Sequence, residues 1–407
     1  MSLHALSTRR SVHASRPPAH VIATDGEAIA VVTKLAASFR EGAQERDRDR
    51  ILPWHQIEQL TDAGFFGISV PHRYGGAEVS AVTVAEVFRL LSAADPSIGQ
   101  IPQNHFCWLP LIHNGTHTQA ETFYARILKG ARIGNAHSEA TLRRQNDYEH
   151  RLEKVEGGFV ITGRKFYSTG AIFADLVPFL DHHGPDGPRI FFAEADAEGL
   201  TILDDWRGMG QRTTASGTTV FERVFVPDTH VFPLGETAQN PLPFGLIASL
   251  IHTAVDVGIA EEVLVDAARY IRTQNRPWID NPEEHFKEPF MVAQFGDYGV
   301  QVRSASVMLR HAAQAIDAAR IDPSPDRILT ARLAIADARI LASEAATRVA
   351  NEFFLLTGAR ATLEQHGLDR HWRNARTHSL HDPLRWKRYY LGNYYLNGVV
   401  PGRGVYI

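Results

Sequence analysis

The apolar period of this chain changes twice along its length, and those two changes constrain the fold more than any single motif. Over about the first 135 residues, apolar side chains recur every three to four positions. Ile29, Val32, Leu35, Ala36 and Phe39 make one stripe of an amphipathic helix. Thr24 or Asp25 stands before it as a cap. Pro53 and Gly64 bracket a second helix, and Val84, Val87, Phe88 and Leu91 mark a third. Asp95-Pro96-Ser97 breaks the chain and starts the next.

From about 136 to 235 the period drops to two. Gly157-Gly158 sits between Arg151–Glu156 and Phe159–Thr162 as a hairpin turn does. Ile190-Phe191-Phe192-Ala193 is a short apolar run. Thr218, Val220, Glu222, Val224 and Val226 alternate until Pro227-Asp228 ends the strand. Helical patterns return after about 240, predicting four helices at about 244–275, 288–319, 325–357 and 369–396. Runs of one element type segregate into layers rather than alternating βα units. The fold class is therefore α+β. Its parts are a flexible tail over 1–24, an N-terminal helical domain over 25–135, a central β-domain over 136–238 and a C-terminal helical bundle over 239–407.

Composition removes several functions. The net charge of -4 gives no general reason to bind nucleic acid or an anionic membrane. One cysteine, Cys107, excludes an internal disulfide and suits the cytoplasm. No run of 18 apolar residues is present to span a membrane. Neither GxGxxG nor GxxxxGK[ST] occurs, so a nucleotide or flavin must be held in another way.

Four segments concentrate chemistry. Gly210-Gln211-Arg212-Thr213-Thr214-Ala215-Ser216-Gly217 combines close backbone approach with hydroxyls, and reads on composition alone as a polar loop. Lys165-Phe166-Tyr167-Ser168-Thr169-Gly170 offers aromatics beside hydroxyls, or simply a strand ending in a turn. Ile101 to Trp108 places Asn104 and His105 in an apolar helix, where a buried polar pair needs partners or a ligand. In Arg373 to Pro383, His378 and His381 stand three apart and could share a helix face. They suit acid–base or hydrogen-bonding work. With no cysteine and no HExxH nearby, a metal is not expected.

Taken in order, Gly210-Gln211-Arg212 with the strand up to Pro227, and Trp372-Arg373-Asn374-Ala375-Arg376, resemble the acyl-CoA dehydrogenase superfamily over about residues 25–405. Arg376-Thr377-His378-Ser379-Leu380-His381-Asp382-Pro383 is similar to one branch, the dibenzothiophene monooxygenases and the oxidoreductases of dimethyl sulfone use. Ile101-Pro102-Gln103-Asn104-His105, Asp204-Asp205-Trp206, Arg276-Pro277-Trp278 and Tyr394-Tyr395-Leu396-Asn397-Gly398 fit that branch too. The resemblance implies an N-terminal helical domain, a central β-barrel domain and a C-terminal four-helix bundle, assembled as a homotetramer.

It also implies chemistry. Reduced FMN from a separate flavin reductase would react with molecular oxygen, and a flavin hydroperoxide would oxygenate a small organosulfur compound. His381, His105 and Asn135 would handle the peroxide. Asn135, Ser138, Tyr167, Ser168, Thr169, Arg276, His378 and His381 would hold the flavin, with Thr169 near its N5 atom. Trp108 and Trp206 would wall the substrate. The alternative is an FAD-dependent desaturase with Asp382 as base. Many superfamily dehydrogenases keep a glutamate at the position of Asp382, which is shorter and is followed by Pro383.

Overall fold

The computed structural model describes residues 17–139, 150–182, 187–235, 237, 240–243, 245–274, 276 and 284–402. Helix α1 (Asp25–Arg40) starts where Thr24 accepts a hydrogen bond from the Glu27 amide at 3.1 Å. The short helices α2 (Ala43–Asp49) and α3 (Trp54–Asp62) follow, the latter directly after Pro53. Next come α4 (Ala81–Ala94) and α5 (Pro96–Gln100). The Asp95 carboxylate caps α5 through the amides of Ser97 and Ile98. Helices α6 (Gln103–Trp108) and α7 (His117–Leu128) complete the first part.

The predicted tail is not loose where it is described. The His20 amide donates to the Asp62 carbonyl at 2.9 Å, and Ile22 is buried in the helical core.

The middle segment supplies strands β1 (Arg151–Val155), β2 (Gly158–Lys165), β3 (Leu176–Asp181), β4 (Arg189–Glu194), β5 (Leu200–Ile202), β6 (Thr219–Pro227) and β7 (Val231–Pro233). They form two antiparallel sheets, ordered β1-β2-β6-β5 and β3-β4-β7. The β1–β2 hairpin pairs Val155 with Gly158, and Gly157 turns it at φ 73°. Phe159, Ile161, Phe221 and Val226 of one sheet pack on Val177, Phe179 and Phe191 of the other. The expected β-barrel is corrected by this arrangement. Among the described residues the sheets face each other but do not close, and edge strands β5 and β7 have three residues each.

The last part is α8 (Gly245–Gln274), α9 (Pro289–Ile321), α10 (Pro325–Glu352), α11 (Phe354–Thr357), α12 (Asp369–His378) and α13 (Leu384–Asn397). One expected helix, 369–396, is two. The chain turns between His378 and Pro383, and proline disfavours helical geometry at the residue before it. Alanines at 331, 338, 342, 345 and 346 of α10 are wholly buried, so small side chains let neighbouring helices approach. A continuous core joins Val32 of α1, Leu91 of α4, Leu250 of α8, Leu309 of α9 and Val349 of α10. The first and last helical segments therefore share one interior.

Candidate active site

Helix α8 carries His252 and Asp256 one turn apart, so they share a face. That face meets the end of α12. Asp256, fully buried, accepts from His378 Nδ1 at 2.5 Å and pairs with the Arg339 guanidinium. A carboxylate only accepts, so His378 carries hydrogen on Nδ1 and, when neutral, offers a lone pair at Nε2. His252 Nδ1 meets that atom at 3.1 Å. His381 lies in the turn rather than on the helix face first expected, and its Nδ1 donates to the His378 carbonyl at 3.0 Å. Its Nε2 is left as an acceptor, facing the Gln100 amide nitrogen at 3.3 Å. The His252 and His381 rings stack with centroids 4.4 Å apart.

Burial, reinforced by the imidazoles of His381 and His378, holds His252 well below the ordinary histidine range. Crowding in the cleft and His378 also lower His381, although part of its surface is open to solvent. Both rings are therefore neutral at pH 7.

Asp382 is not free. Arg339 lies 3.3 Å from one of its oxygens and Lys387 Nζ 2.8 Å from the other. Burial raises the pKa values of Asp382 and Asp256, but the adjacent cations outweigh it and hold both below the usual carboxylate range. Arg339 thus bridges two buried carboxylates.

The second wall comes from the β-segment. The 210–217 loop is tied to α12: the Gly210 amide donates to Thr377 Oγ1 at 3.0 Å, and the Gln211 amide to Asn374 Oδ1 at 2.6 Å. A Cβ on Gly210 would lie 1.9 Å from the Arg373 carbonyl, so only glycine fits. Asp205 closes the loop by accepting from the Thr218 amide and hydroxyl, both at 2.7 Å.

Inside the loop three hydroxyls form a chain. Thr214 Oγ1 donates to the Gln211 carbonyl at 3.0 Å. Each hydroxyl has one hydrogen. Ser216 must then donate to Thr214 at 2.7 Å, and Thr169 to Ser216 at 2.6 Å. Thr169 is left with lone pairs only. Beside it, Asn135 Nδ2 donates to the Tyr167 carbonyl at 3.0 Å, while Asn135 Oδ1 and Ser168 Oγ are buried without a hydrogen-bond partner. Buried acceptors and hydroxyls in this state fit the polar edge of a planar cofactor.

The other predicted residues divide. Tyr167 is about half exposed, with φ 58°, and packs near Trp206 at 6.2 Å. Trp206 is anchored through Nε1 to the Gln211 carbonyl at 2.9 Å. Trp108 is buried in an apolar cluster beside His137. Ser138 contributes its carbonyl to the Phe166 amide at 2.7 Å. Arg276 is exposed just beyond α8, and its motif partners Pro277 and Trp278 lie outside the described residues.

His105 corrects an expectation. Its Nδ1 accepts from the Ile133 amide at 3.0 Å and its Nε2 donates to the Phe66 carbonyl at 2.8 Å. Both ring nitrogens are committed to backbone, so this wholly buried histidine joins α6 to its neighbours and has none left for peroxide. Sequence reasoning also missed His252, Asp256, Arg339 and Lys387. The i,i+4 spacing of His252 and Asp256 inside a predicted helix was the available signal.

Helical segments on either side of a two-sheet segment, tied together through the 210–217 loop and α12, are the arrangement of the acyl-CoA dehydrogenase class of fold. Family models agree: the acyl-CoA dehydrogenase N-terminal domain matches residues 29–131 and the C-terminal domain residues 250–386. The chain is 33% identical over 401 residues to dibenzothiophene monooxygenase of Rhodococcus erythropolis, covering 93% of this chain and 95% of that one. It is 28% identical to the probable FMNH2-dependent monooxygenase SfnC of Pseudomonas putida, covering 93% and 97%. FMN-bound TdsC from Paenibacillus sp. A11-2 superposes with a TM-score of 0.87 at 27% identity, covering 93% and 100%. Methanesulfinate monooxygenase MsuC from Pseudomonas fluorescens does so at 0.86 and 28%, covering 93% and 99%. The chain belongs to the acyl-CoA dehydrogenase superfamily, in the branch of the dibenzothiophene monooxygenases.

Proposed function

We propose that this protein is the oxygenase of a two-component system, using reduced FMN and molecular oxygen to oxygenate a small organosulfur compound (a sulfone, sulfinate or sulfide) for sulfur acquisition. The observation that carries this reading over desaturation is the state of Asp382. A carboxylate pinned between Arg339 and Lys387, with its pKa lowered, is a poor base for a carbon-bound proton. In its place the cleft presents neutral imidazoles. The relatives named as monooxygenases, and the FMN in TdsC, support the same assignment.

Reduced FMN, when bound, supplies the electrons and the atom at which oxygen is activated. The residues of this chain do the rest. Asn135 and Ser168, whose polar atoms are unpaired, would meet the ring edge, with Tyr167 and Ser138 flanking it. Thr169 would accept a hydrogen bond near N5. His381, held by the His378 carbonyl, would offer its Nε2 lone pair as a hydrogen-bond acceptor that places a proton without itself becoming charged. His378 is positioned by Asp256 and Arg339. Trp206 and Trp108 wall off the substrate and exclude water. Arg276 reaches the flavin phosphate of a neighbouring copy in a homotetramer. Exposed Phe290, Val300 and Val307 on α9, and Trp386 and Tyr389 on α13, are apolar surface that such an assembly would cover. Light scattering should then give about four times the 45.2 kDa chain mass. A separate reductase supplies the flavin, since the chain lacks nucleotide motifs, and the cytoplasm suits its single buried cysteine.

The hydroxyl chain makes a distinct prediction. A Thr169 that can only accept favours the N5–H of reduced flavin over the bare N5 of oxidised flavin. Anaerobic calorimetry should show reduced FMN binding more tightly than oxidised FMN. Thr214→Val lets the chain reverse, and should narrow that ratio by roughly tenfold, the equivalent of one charge-poor hydrogen bond. Tight stoichiometric FAD, or an unchanged ratio, would count against the assignment.

A further inference from the structure

We propose that His252, His378 and His381 form a binding site for a divalent transition-metal ion with imidazole preference, zinc above all, which closes the cleft when occupied. The ligand atoms of the three rings lie within 4.8 Å of one another. His252 Nδ1 and His378 Nε2 are 3.1 Å apart. Two nitrogens bound at about 2.0–2.1 Å to a tetrahedral ion are separated by about 3.3 Å, so an ion can replace the bridging proton with little movement. The His252 ring then carries its hydrogen on Nε2 instead, with no change of charge.

The surroundings are those that orient metal-bound histidines. His378 donates its other nitrogen, Nδ1, to the Asp256 carboxylate at 2.5 Å. His381 donates Nδ1 to the His378 carbonyl at 3.0 Å. Both Nε2 atoms are thereby left as lone pairs, that of His378 toward His252 and that of His381 toward the Gln100 amide at 3.3 Å, which must turn aside for an ion to bind. Outer carboxylates and carbonyls placed in this way raise ligand basicity. Arg339 holds the outer carboxylate in turn. His381 is exposed and His252 half-buried, which leaves an entry path and an open fourth position. An ion there occupies Nε2 of His381, the atom the oxygenation needs, so binding turns the enzyme off. The donor set of three imidazoles suits zinc, cobalt, nickel or copper and not calcium or magnesium.

The test uses full-length protein free of flavin and of any histidine tag. It is titrated with cobalt(II) as a spectroscopic stand-in, then with zinc. The expected result is one ion per chain, with the intense visible absorption of four-coordinate cobalt, displaced by zinc. His381→Ala, at an exposed position that leaves the fold intact, should abolish the band. Asp256→Asn keeps all three ligands and should weaken binding by about 10–100-fold. Absence of the band in wild type, or a band that survives His381→Ala, would overturn the proposal. Because no flavin is present, either outcome leaves the oxygenase assignment to its own tests.

Discussion

Replacing His381 with alanine should lower product formation by on the order of 10²–10³-fold while the protein stays folded, and should raise the hydrogen peroxide released per FMNH2 consumed. The side chain is exposed at the cleft, so its loss removes little packing. What disappears is a lone pair held in place through the His378 carbonyl. Without it, the reduced flavin still meets oxygen, but the proton that directs the oxygen atom to substrate is no longer placed. Asp382→Asn should behave differently. Its carboxylate serves Arg339 and Lys387, so the change should cost stability more than chemistry per folded molecule. Product and peroxide measured side by side for both variants separate the two roles. A catalytically dead Asp382→Asn beside a near-normal His381→Ala would reverse the assignment.

Arg339→Met should destabilise the protein by about 3–5 kcal/mol. Arg339 is 1% exposed and lies between two buried carboxylates, Asp256 and Asp382. Removing the cation leaves Asp256 with only His378, and Asp382 with only Lys387, as partners away from water. In wild type both folded pKa values lie below the ordinary carboxylate value. The stability they contribute is therefore present above the unfolded pKa and lost as pH falls through the folded value. In the variant the folded pKa values rise instead. Its folded state then takes up protons before the unfolded chain does, so its deficit against wild type should shrink as pH falls from 7 toward 5. Denaturant unfolding at the two pH values measures this. A deficit below about 1 kcal/mol, or one that widens at low pH, would show that the bridge is not structural.

Much of this was legible in the sequence because it is local. The stripe through Val32, Ala36 and Phe39, the cap at Thr24, the Asp95 break and the Gly157 turn depend on neighbours in the chain, and the structure shows each of them. The break before Pro383 was also local, but the charged and tyrosine-rich helical flanks masked it and one helix was read where there are two. The site was legible on one side only. His378 and His381 stood out as a pair. Their partners His252 and Asp256 on α8 and Arg339 on α10 meet them only in the folded core, and nothing in a local window links those helices to the 378–381 segment. His105 misled for the converse reason. A histidine in an apolar helix has the same sequence signature whether it serves a ligand or the backbone, and here both nitrogens go to backbone.

The central claim is that an oxygen atom from O2 ends up in the organosulfur substrate. The most direct measurement supplies the enzyme with FMNH2 from an unrelated reductase under heavy-isotope oxygen gas, and offers it a panel of sulfides, sulfinates and sulfones. The products are weighed by mass spectrometry. The account predicts a product carrying one labelled oxygen atom per turnover, formed only with reduced FMN. An unlabelled product with a new carbon–carbon double bond, formed with tightly bound FAD and an artificial electron acceptor, would contradict it.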